Sequence, residues 1–378
     1  MERKLKVANL IWSMEDGGAQ QIVLNYLRDF QEDEDIEFTL FVYSSPSSSK
    51  YDKEIQSEGY NVVYLNRPSL PFKLPVFGKI INGYIAKRTW EKVIIPYNPD
   101  IIHVHISALL ENTIPCIKKS NAKIVFDTLH SDPQRYKGRK LKRIRKFFSN
   151  IGIIPICVTE EQVKIARLHY GISDYEVLHN GIDLDYIKSS KVEKDVARKK
   201  LGILENDYVV LGVGRLNPIK NFDLLIRIFA KLRETKKNSV LLIAGEGKEK
   251  EGLLNLAKEL GISENVRLLG NVEETSYLYC CADVLAITSL SEASCLVALE
   301  GQAYGLRCVM SHGVPDESMI TGQAKKMKEN ASIEEWAAEL SVGGKVCEHR
   351  CSEEDYEVHR ISKKLKEIYI SRWENIRN

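Results

Sequence analysis

Two cations and two carboxylates in the second half of the chain have the types and spacing to handle a phosphorylated, hydroxyl-rich ligand. The cations stand in Val210-Leu-Gly-Val-Gly-Arg215-Leu-Asn-Pro-Ile-Lys220-Asn221. Here an apolar run ends, glycines tighten a turn, Arg215 and Lys220 follow, and a helical pattern opens. That layout suits a diphosphate: backbone N–H groups at a helix start favour anions, and the side chains add full positive charge. At ~4 Å and an effective dielectric near 20, each close charge pair is worth roughly 4 kcal/mol. A solvated Arg and Lys at a helix start is the plainer alternative.

The carboxylates stand in Ser289-Leu-Ser-Glu292-Ala-Ser-Cys-Leu-Val-Ala-Leu-Glu300, where two glutamates bracket seven residues across a helix start. Glu300 falls inside an apolar helical pattern with Leu296, Val297, Leu299 and Ala303. An acid there is costly unless paired or hydrogen-bonded. A carboxylate accepts two hydroxyl hydrogen bonds at once, which matches a ribose diol. Glu292, ahead of the helix, is placed to accept from sugar hydroxyls, with the N–H groups of Ser294, Cys295 and Leu296 toward a phosphate. The alternative is an acid favouring the helix dipole and a second, surface glutamate.

A third cluster is basic. Arg135, Lys137, Arg139, Lys140, Lys142, Arg143, Arg145 and Lys146 crowd one segment in which Leu141, Ile144 and Phe148 share a helical face. A basic amphipathic helix reads as a membrane-surface element, each cation near an anionic surface adding about 1 kcal/mol. A solvated helix or a nucleic-acid patch is the competing reading. The net charge of +2 names no partner by itself. Of the eight cysteines, most read as reduced, buried thiols. Cys347, His349 and Cys351 lack a fourth ligand for a closed zinc site. No metal is expected.

Elements that could position these residues alternate along the chain. Val- and Ile-rich runs at 5–12, 37–43, 61–65, 101–106, 123–126 and 154–159 are apolar on both faces, as strands covered by helices must be. A second series runs through 208–214, 239–244, 265–269, 283–288 and 307–311, with helical patterns at 221–234, 249–260 and 295–304. Strand–helix alternation implies parallel sheets with crossover helices. The expected fold is therefore α/β, with two doubly wound Rossmann-like domains at 1–190 and 191–355 facing each other across a cleft. A helix at 356–378 is expected to cross back to the first domain. Ligands of such sheets bind beyond the carboxyl ends of the strands. There is no run of eighteen apolar residues and no signal-peptide pattern, so a cytoplasmic location is expected.

The order of motifs resembles glycosyltransferase family 4, of the GT-B fold. Asp16-Gly17-Gly18-Ala19-Gln20 resembles the family's first loop, and Asn180-Gly181-Ile182-Asp183 its N-G-I-D turn. Gly214-Arg215 through Lys220-Asn221 resembles its phosphate loop, Gly245-Glu246-Gly247 its nucleotide loop, and Leu269-Gly270-Asn271-Val272 its base-side turn. Glu292 and Glu300 fit its E-x7-E signature. The capsule and exopolysaccharide branch is suggested by Gly18…Asn25-Tyr-Leu-Arg28, Tyr51-Asp-Lys-Glu-Ile55 and Glu334-Glu-Trp336.

The resemblance implies a retaining hexosyltransferase that needs no metal or other cofactor. Arg215 and Lys220 would stabilise the leaving diphosphate of a UDP- or GDP-sugar. Glu300 would hold the ribose, Glu292 the donor sugar, and Asn271 and Val272 the base. Gly17, Gly18 and Gly247 would let backbone approach the donor. His130 matches a family histidine near the reacting sugar, and His105, sharing a strand face with His103, is expected on the acceptor side. The acceptor would be a lipid-linked glycan, with Arg139, Lys140, Lys142, Arg143, Arg145 and Lys146 on the inner face of the membrane. Nucleic acid is not an expected partner. Ala293 and Cys295 stand where the family carries glycine and proline or glycine, and Gln20 replaces a common acid. These departures keep an inactive scaffold open as an alternative, alongside a non-hydrolysing nucleotide-sugar epimerase of the same fold. A dinucleotide oxidoreductase is disfavoured, because neither glycine loop continues as G-x-G-x-x-G.

Overall fold

The computed structural model describes residues 3–15, 17–66, 75–342 and 353–377. Asp16 and the Cys347, His349 and Cys351 cluster lie outside the described residues. The chain forms two compact units, one of residues 3–180 with 358–377 and one of residues 181–357.

In chain order the first unit contains β1 (Leu5–Ile11), α1 (Gly18–Phe30), β2 (Ile36–Val42), α2 (Lys50–Glu58), β3 (Val62–Tyr64), α3 (Pro75–Tyr97), β4 (Ile101–His105), α4 (Leu110–Lys119), β5 (Ile124–Thr128), α5 (Gly138–Ile151), β6 (Ile154–Cys157), α6 (Glu160–Tyr170) and β7 (Glu176–Val177). The second contains α7 (Leu184–Ser190), α8 (Lys194–Lys200), β8 (Tyr208–Val213), α9 (Phe222–Thr235), β9 (Ser239–Ala244), α10 (Lys250–Glu259), β10 (Val266–Gly270), α11 (Ser276–Cys281), β11 (Val284–Ile287), α12 (Leu296–Ala303), β12 (Arg307–Met310), β13 (Ala324–Lys326) and α13 (Ile333–Ser341). The closing helix, α14 (Val358–Arg377), belongs to the first unit.

Both sheets are parallel throughout, so both are doubly wound. The first has strand order β3-β2-β1-β4-β5-β6-β7 and the second β10-β9-β8-β11-β12-β13. Each order reverses once, between β1 and β4 and between β8 and β11. At such a switch point two neighbouring loops leave the sheet in opposite directions and open a crevice beyond the strand ends. The strands are apolar on both faces because helices cover both. In β1 only Lys6 escapes full burial, and in β9 no residue does. Fully burying a Val, Leu or Ile contributes about 1.5–3 kcal/mol, so each central strand is a large share of its unit's core.

The helix that follows the Gly214-Arg215 loop is seated by a missing side chain. A Cβ on Gly212 would lie 2.8 Å from Leu225 Cδ2 and 3.0 Å from Phe222 Cε1, so glycine lets α9 start tight against β8.

Residues 181–190, expected at the end of the first domain, belong to the second. Ile182, Leu184 and Ile187 bury themselves with Leu299, Ala303, Ile320 and Tyr356. The polar stretch that follows forms α8, whose Ala197 is fully buried and whose Arg198 is held by Asp283. In α14, Ile361, Leu365 and Tyr369 repeat at helical spacing and are buried. Lys366 pairs with Asp33 and Asp35 at 2.7 and 2.8 Å, and Arg372 with Asp174 and Glu176 at 2.7 and 2.5 Å. Among the described residues no helix is long and apolar enough to cross a membrane.

Candidate functional site

In the second unit, the loops after β8 and β11 leave the sheet on either side of the switch point and are stitched together. Thr288 Oγ1 donates to the carbonyls of Lys220 and Asn221 at 3.1 and 3.0 Å, and Leu290 N donates to Ile219 O at 2.8 Å. Asn217 Oδ1 accepts from the N–H groups of Ile219 and Lys220 at 3.0 and 3.1 Å, shaping the turn ahead of α9. The next loop over packs backbone to backbone. A Cβ on Gly245 would fall 2.0 Å from Gly214 O, and one on Gly247 2.2 Å from Leu216 O, so both positions exclude any side chain. Gly245 also has φ +138°, a region that favours glycine.

This stitching brings Lys220 Nζ to 2.6 Å from Glu292 Oε1, with side-chain exposures of only 22% and 13%. Burial pulls the Lys220 pKa down, but the Glu292 carboxylate outweighs it and the ammonium is held above its ordinary range. The pair is thus ionised and partly desolvated, a state that is stable only while both members remain paired. Arg215 is exposed at the loop's entrance, immediately after Gly214.

Glu300 projects from α12 and is held by a residue the sequence reading passed over. Tyr279 Oη donates to Glu300 Oε2 at 2.6 Å. Burial, reinforced by the Glu300 charge, pushes the Tyr279 pKa well up, so the phenol stays a donor. Its ring stacks on Tyr304 at 4.9 Å and 13°, and Tyr304 Oη shares a 2.8 Å hydrogen bond with Ser190 Oγ at the end of α7. The N-G-I-D turn supports that wall: Asp183 caps α7 by accepting from Tyr186 N at 2.7 Å. Asn271 is exposed and Val272 half-buried at the carboxyl end of β10, and Gly247 lies at the same end of β9.

One of the amides ahead of α12 is already bonded within the fold. Cys295 N donates to Ser318 Oγ at 3.3 Å, so it is already committed within the fold, unlike the anion-facing role expected for it. The Cys295 thiol is buried and its pKa is pushed up to about 12, first by burial and then by the Glu292 charge. It is no nucleophile. A depression at the opposite end of this sheet, bounded by Lys194, Arg198, Tyr208, Lys236 and Asp283, lies away from these residues. Its Asp283 is held by Arg198 and Lys194 at 2.9 and 2.5 Å, a structural arrangement.

In the first unit, the loops after β1, β4 and β5 carry the other candidates. Gly17 stands just ahead of α1, with Gly18 as that helix's first residue and no side-chain cap. Ile106, directly after β4, has φ +85°, a strained conformation for a β-branched residue at the edge of the switch point. His130 is partly exposed just past β5. His105, expected on the acceptor side, is instead fully buried. Its Nδ1 meets His130 Nε2 and its Nε2 meets Asn9 Oδ1, each at 3.2 Å. The reason is that helices cover both faces of the sheet and leave all five residues of β4 buried; His105 shares a face with His103, which bonds Tyr369 Oη and Thr128 Oγ1, each at 2.6 Å. Burial lowers the pKa of all three histidines, His103 to about 3 and His130 to about 4, so they are neutral near pH 7.

Asp127, inside β5, is fully buried, and neither carboxyl oxygen makes a well-formed hydrogen bond. Burial pushes its pKa up to about 8, which nearby Ser107 only partly offsets. On the outer surface, α5 buries Ile144 and Phe148 and exposes Arg139, Lys140, Lys142, Arg143, Arg145 and Lys146. Arg143 pairs with Glu111 at 3.0 Å, and Arg145 Nε donates to His169 O at 2.7 Å.

Comparison with known proteins bears on both units. Residues 16–186 match the family described as Glycosyltransferase Family 4, and residues 193–341 match Glycosyl transferases group 1. D-inositol 3-phosphate glycosyltransferase of Mycobacterium ulcerans is 31% identical over 193 residues, 48% of this chain and 40% of that protein. The chain thus spans well under half the length of such curated relatives. The putative glycosyltransferase EpsF of Bacillus subtilis is 23% identical over 349 residues, 89% of this chain and 87% of EpsF. Among solved structures, Anabaena Alr3699/HepE in complex with UDP and glucose superposes with a TM-score of 0.79 at 16% identity, over 97% of this chain and all of that one. The two doubly wound units are the Rossmann-like domains of the GT-B fold, the first carrying the match to Glycosyltransferase Family 4 and the second the match to Glycosyl transferases group 1.

Proposed function

We propose that the protein is a retaining glycosyltransferase that moves a hexose from a UDP- or GDP-sugar onto a lipid-linked glycan during capsule or exopolysaccharide synthesis. The observation that carries this reading is the Lys220–Glu292 pair at the switch point, with Glu300 oriented by Tyr279. A diphosphate would take Lys220 and Arg215 as its counter-charges, releasing Glu292 to accept from sugar hydroxyls, while Glu300 accepts from the ribose diol. These cations would stabilise the charge that develops on the leaving diphosphate. The departing phosphate would take the acceptor's proton, so no enzyme nucleophile and no metal is invoked. Gly17, Gly18, Gly247, Asn271, Val272, Ser294 and Leu296 would complete the donor contacts, and His130 would meet the sugar. The similarity to the putative glycosyltransferase EpsF over 89% of the chain supports glycosyl transfer as the reaction. The exposed cations of α5 support a peripheral position on the inner membrane face. A second reading, transfer to a soluble cyclitol phosphate, is favoured by the likeness to the Mycobacterium ulcerans relative.

The test is a transfer assay with UDP- and GDP-hexoses, run with EDTA present. Acceptors are a polyprenyl-diphosphate-linked sugar in anionic vesicles and inositol phosphate in solution. Acceptor-dependent nucleotide release, with an axial donor linkage kept axial in the product, is the expected result. Release only with inositol phosphate would favour the second reading. Epimerised donor without transfer would refute both.

A further inference from the structure

His105 is buried between two partners, and their chemistry fixes where its proton lies. Asn9 Oδ1 faces His105 Nε2 at 3.2 Å, and an amide oxygen can only accept, so Nε2 carries the hydrogen. His105 is neutral, because burial, with His103 and His130 alongside, holds its pKa well below the ordinary range. A neutral imidazole has one N–H, so His105 Nδ1 is a lone pair. That lone pair faces His130 Nε2 at 3.2 Å, and His130 must therefore donate there. His130 is itself neutral near pH 7, so its one proton is spent on this bond. What remains on its other nitrogen is a lone pair.

The arrangement is maintained at a cost. Asn9 stands in the middle of an apolar strand, fully buried, with no partner for its Nδ2. A buried unsatisfied donor costs about 1–3 kcal/mol. His103 buttresses the chain from the other side. Its ring lies 4.1 Å from that of His105, and both its nitrogens are tied, to Tyr369 of α14 and to Thr128. The Tyr26 ring lies 6.4 Å from that of His105.

We propose that Asn9 and His105 are positioning residues that hold His130 as its Nε2–H tautomer, so that Nδ1 offers a lone pair to a sugar hydroxyl. The part concerning sugar rests on the reading that His130 meets the substrate. His130 then accepts a hydrogen bond from the hydroxyl and does not donate one. Any proton drawn from that hydroxyl would form an imidazolium whose Nε2–H is already satisfied by His105.

The test is a two-bond 1H–15N correlation spectrum of the full chain with 15N-labelled histidine, between about pH 6 and 8. The His130→Gln spectrum identifies the His130 ring by its absence. The expected result is a single Nε2–H tautomer for His130 that does not titrate in this range. In Asn9→Leu, which keeps the branched shape without the amide, His130 should become a mixture of tautomers. Its kcat should fall roughly tenfold or more, with donor KM changed less than about twofold. A wild-type His130 protonated on Nδ1, or on both nitrogens, overturns the proposal whatever the variant does. So does an Asn9→Leu protein whose His130 spectrum is unchanged. If the tautomer is as expected but His130→Gln transfers sugar at the wild-type rate, it is the placement of His130 at the substrate that fails.

Discussion

Lys220 and Glu292 hold full opposite charges 2.6 Å apart at the carboxyl end of the second sheet. At the same end of the first sheet, His103, His105 and His130 pack together carrying no charge at all. The two switch points are alike in topology and opposite in electrostatics. A pre-formed ion pair suits a ligand that brings its own charge, because a diphosphate replaces one partner and frees the other. A chain of neutral hydrogen bonds suits hydroxyls, because it presents lone pairs without attracting ions. The difference teaches that one sheet type, used twice, is specialised by which polar groups the strand ends keep buried.

The sharpest way to break this contrast is Glu292→Gln. If the pair is an exchange site, losing the carboxylate leaves Lys220 unmatched until a diphosphate arrives. UDP should then bind several-fold tighter, while sugar transfer falls about a hundredfold or more. A merely structural pair would weaken both together, so calorimetry beside the transfer assay separates the two.

The neutral side is tested by pH. Each buried histidine has a folded pKa below its unfolded value, so its contribution to stability is present above about pH 6.5 and is lost as pH falls toward 4. Asp127 works in the opposite sense. Its folded pKa of about 8 exceeds the unfolded value near 3.9, so its contribution is present in acid and is lost as pH rises to 8. Asp127→Asn should therefore stabilise the protein by about 2 kcal/mol or more at pH 8 and far less at pH 5. Thermal unfolding of both proteins across that range checks it. A gain independent of pH would mean that the carboxyl is ionised in the fold.

The smallest effect sharpens the charged side. Tyr279→Phe removes the donor that orients Glu300, and UDP affinity should drop about fivefold, a net hydrogen bond of ~1 kcal/mol. The same change should leave the weaker binding of 2′,3′-dideoxy-UDP nearly untouched. Equal losses for both nucleotides would assign Tyr279 to packing instead.

The charged side was the more legible in sequence. Arg215, Lys220 and Glu292 stand in loops ahead of helices, where glycines or a break in the apolar pattern mark them, and Glu300 is an acid inside an apolar helical pattern. The strands were legible for the same reason, being apolar on both faces. Tyr279 was not, because a tyrosine in Tyr277-Leu-Tyr279 reads as packing until its hydroxyl is seen on Glu300. Asn9 and Asp127 left a signal that went unused: a lone polar residue inside an apolar strand demands a reason. The burial of His105 follows from the central place of β4, paired on one side with β1 and on the other with β5, which no local pattern carries. β13, Ala-Lys-Lys, has no apolar run at all and is defined by its pairing with β12. Residues 181–190 join the second unit through the burial of Ile182, Leu184 and Ile187, a tertiary contact that their local pattern does not show.

The central claim is that the carboxyl end of the second sheet grips a nucleoside diphosphate through Lys220 at the phosphates and Glu300 at the ribose. Calorimetric titration of UDP and GDP into the wild type, Lys220→Ala and Glu300→Ala tests it most directly. One nucleotide should bind the wild type at a single site, and each variant should lose roughly tenfold or more in affinity. Binding that is equally strong in all three proteins, or absent from the wild type for both nucleotides, would contradict the account.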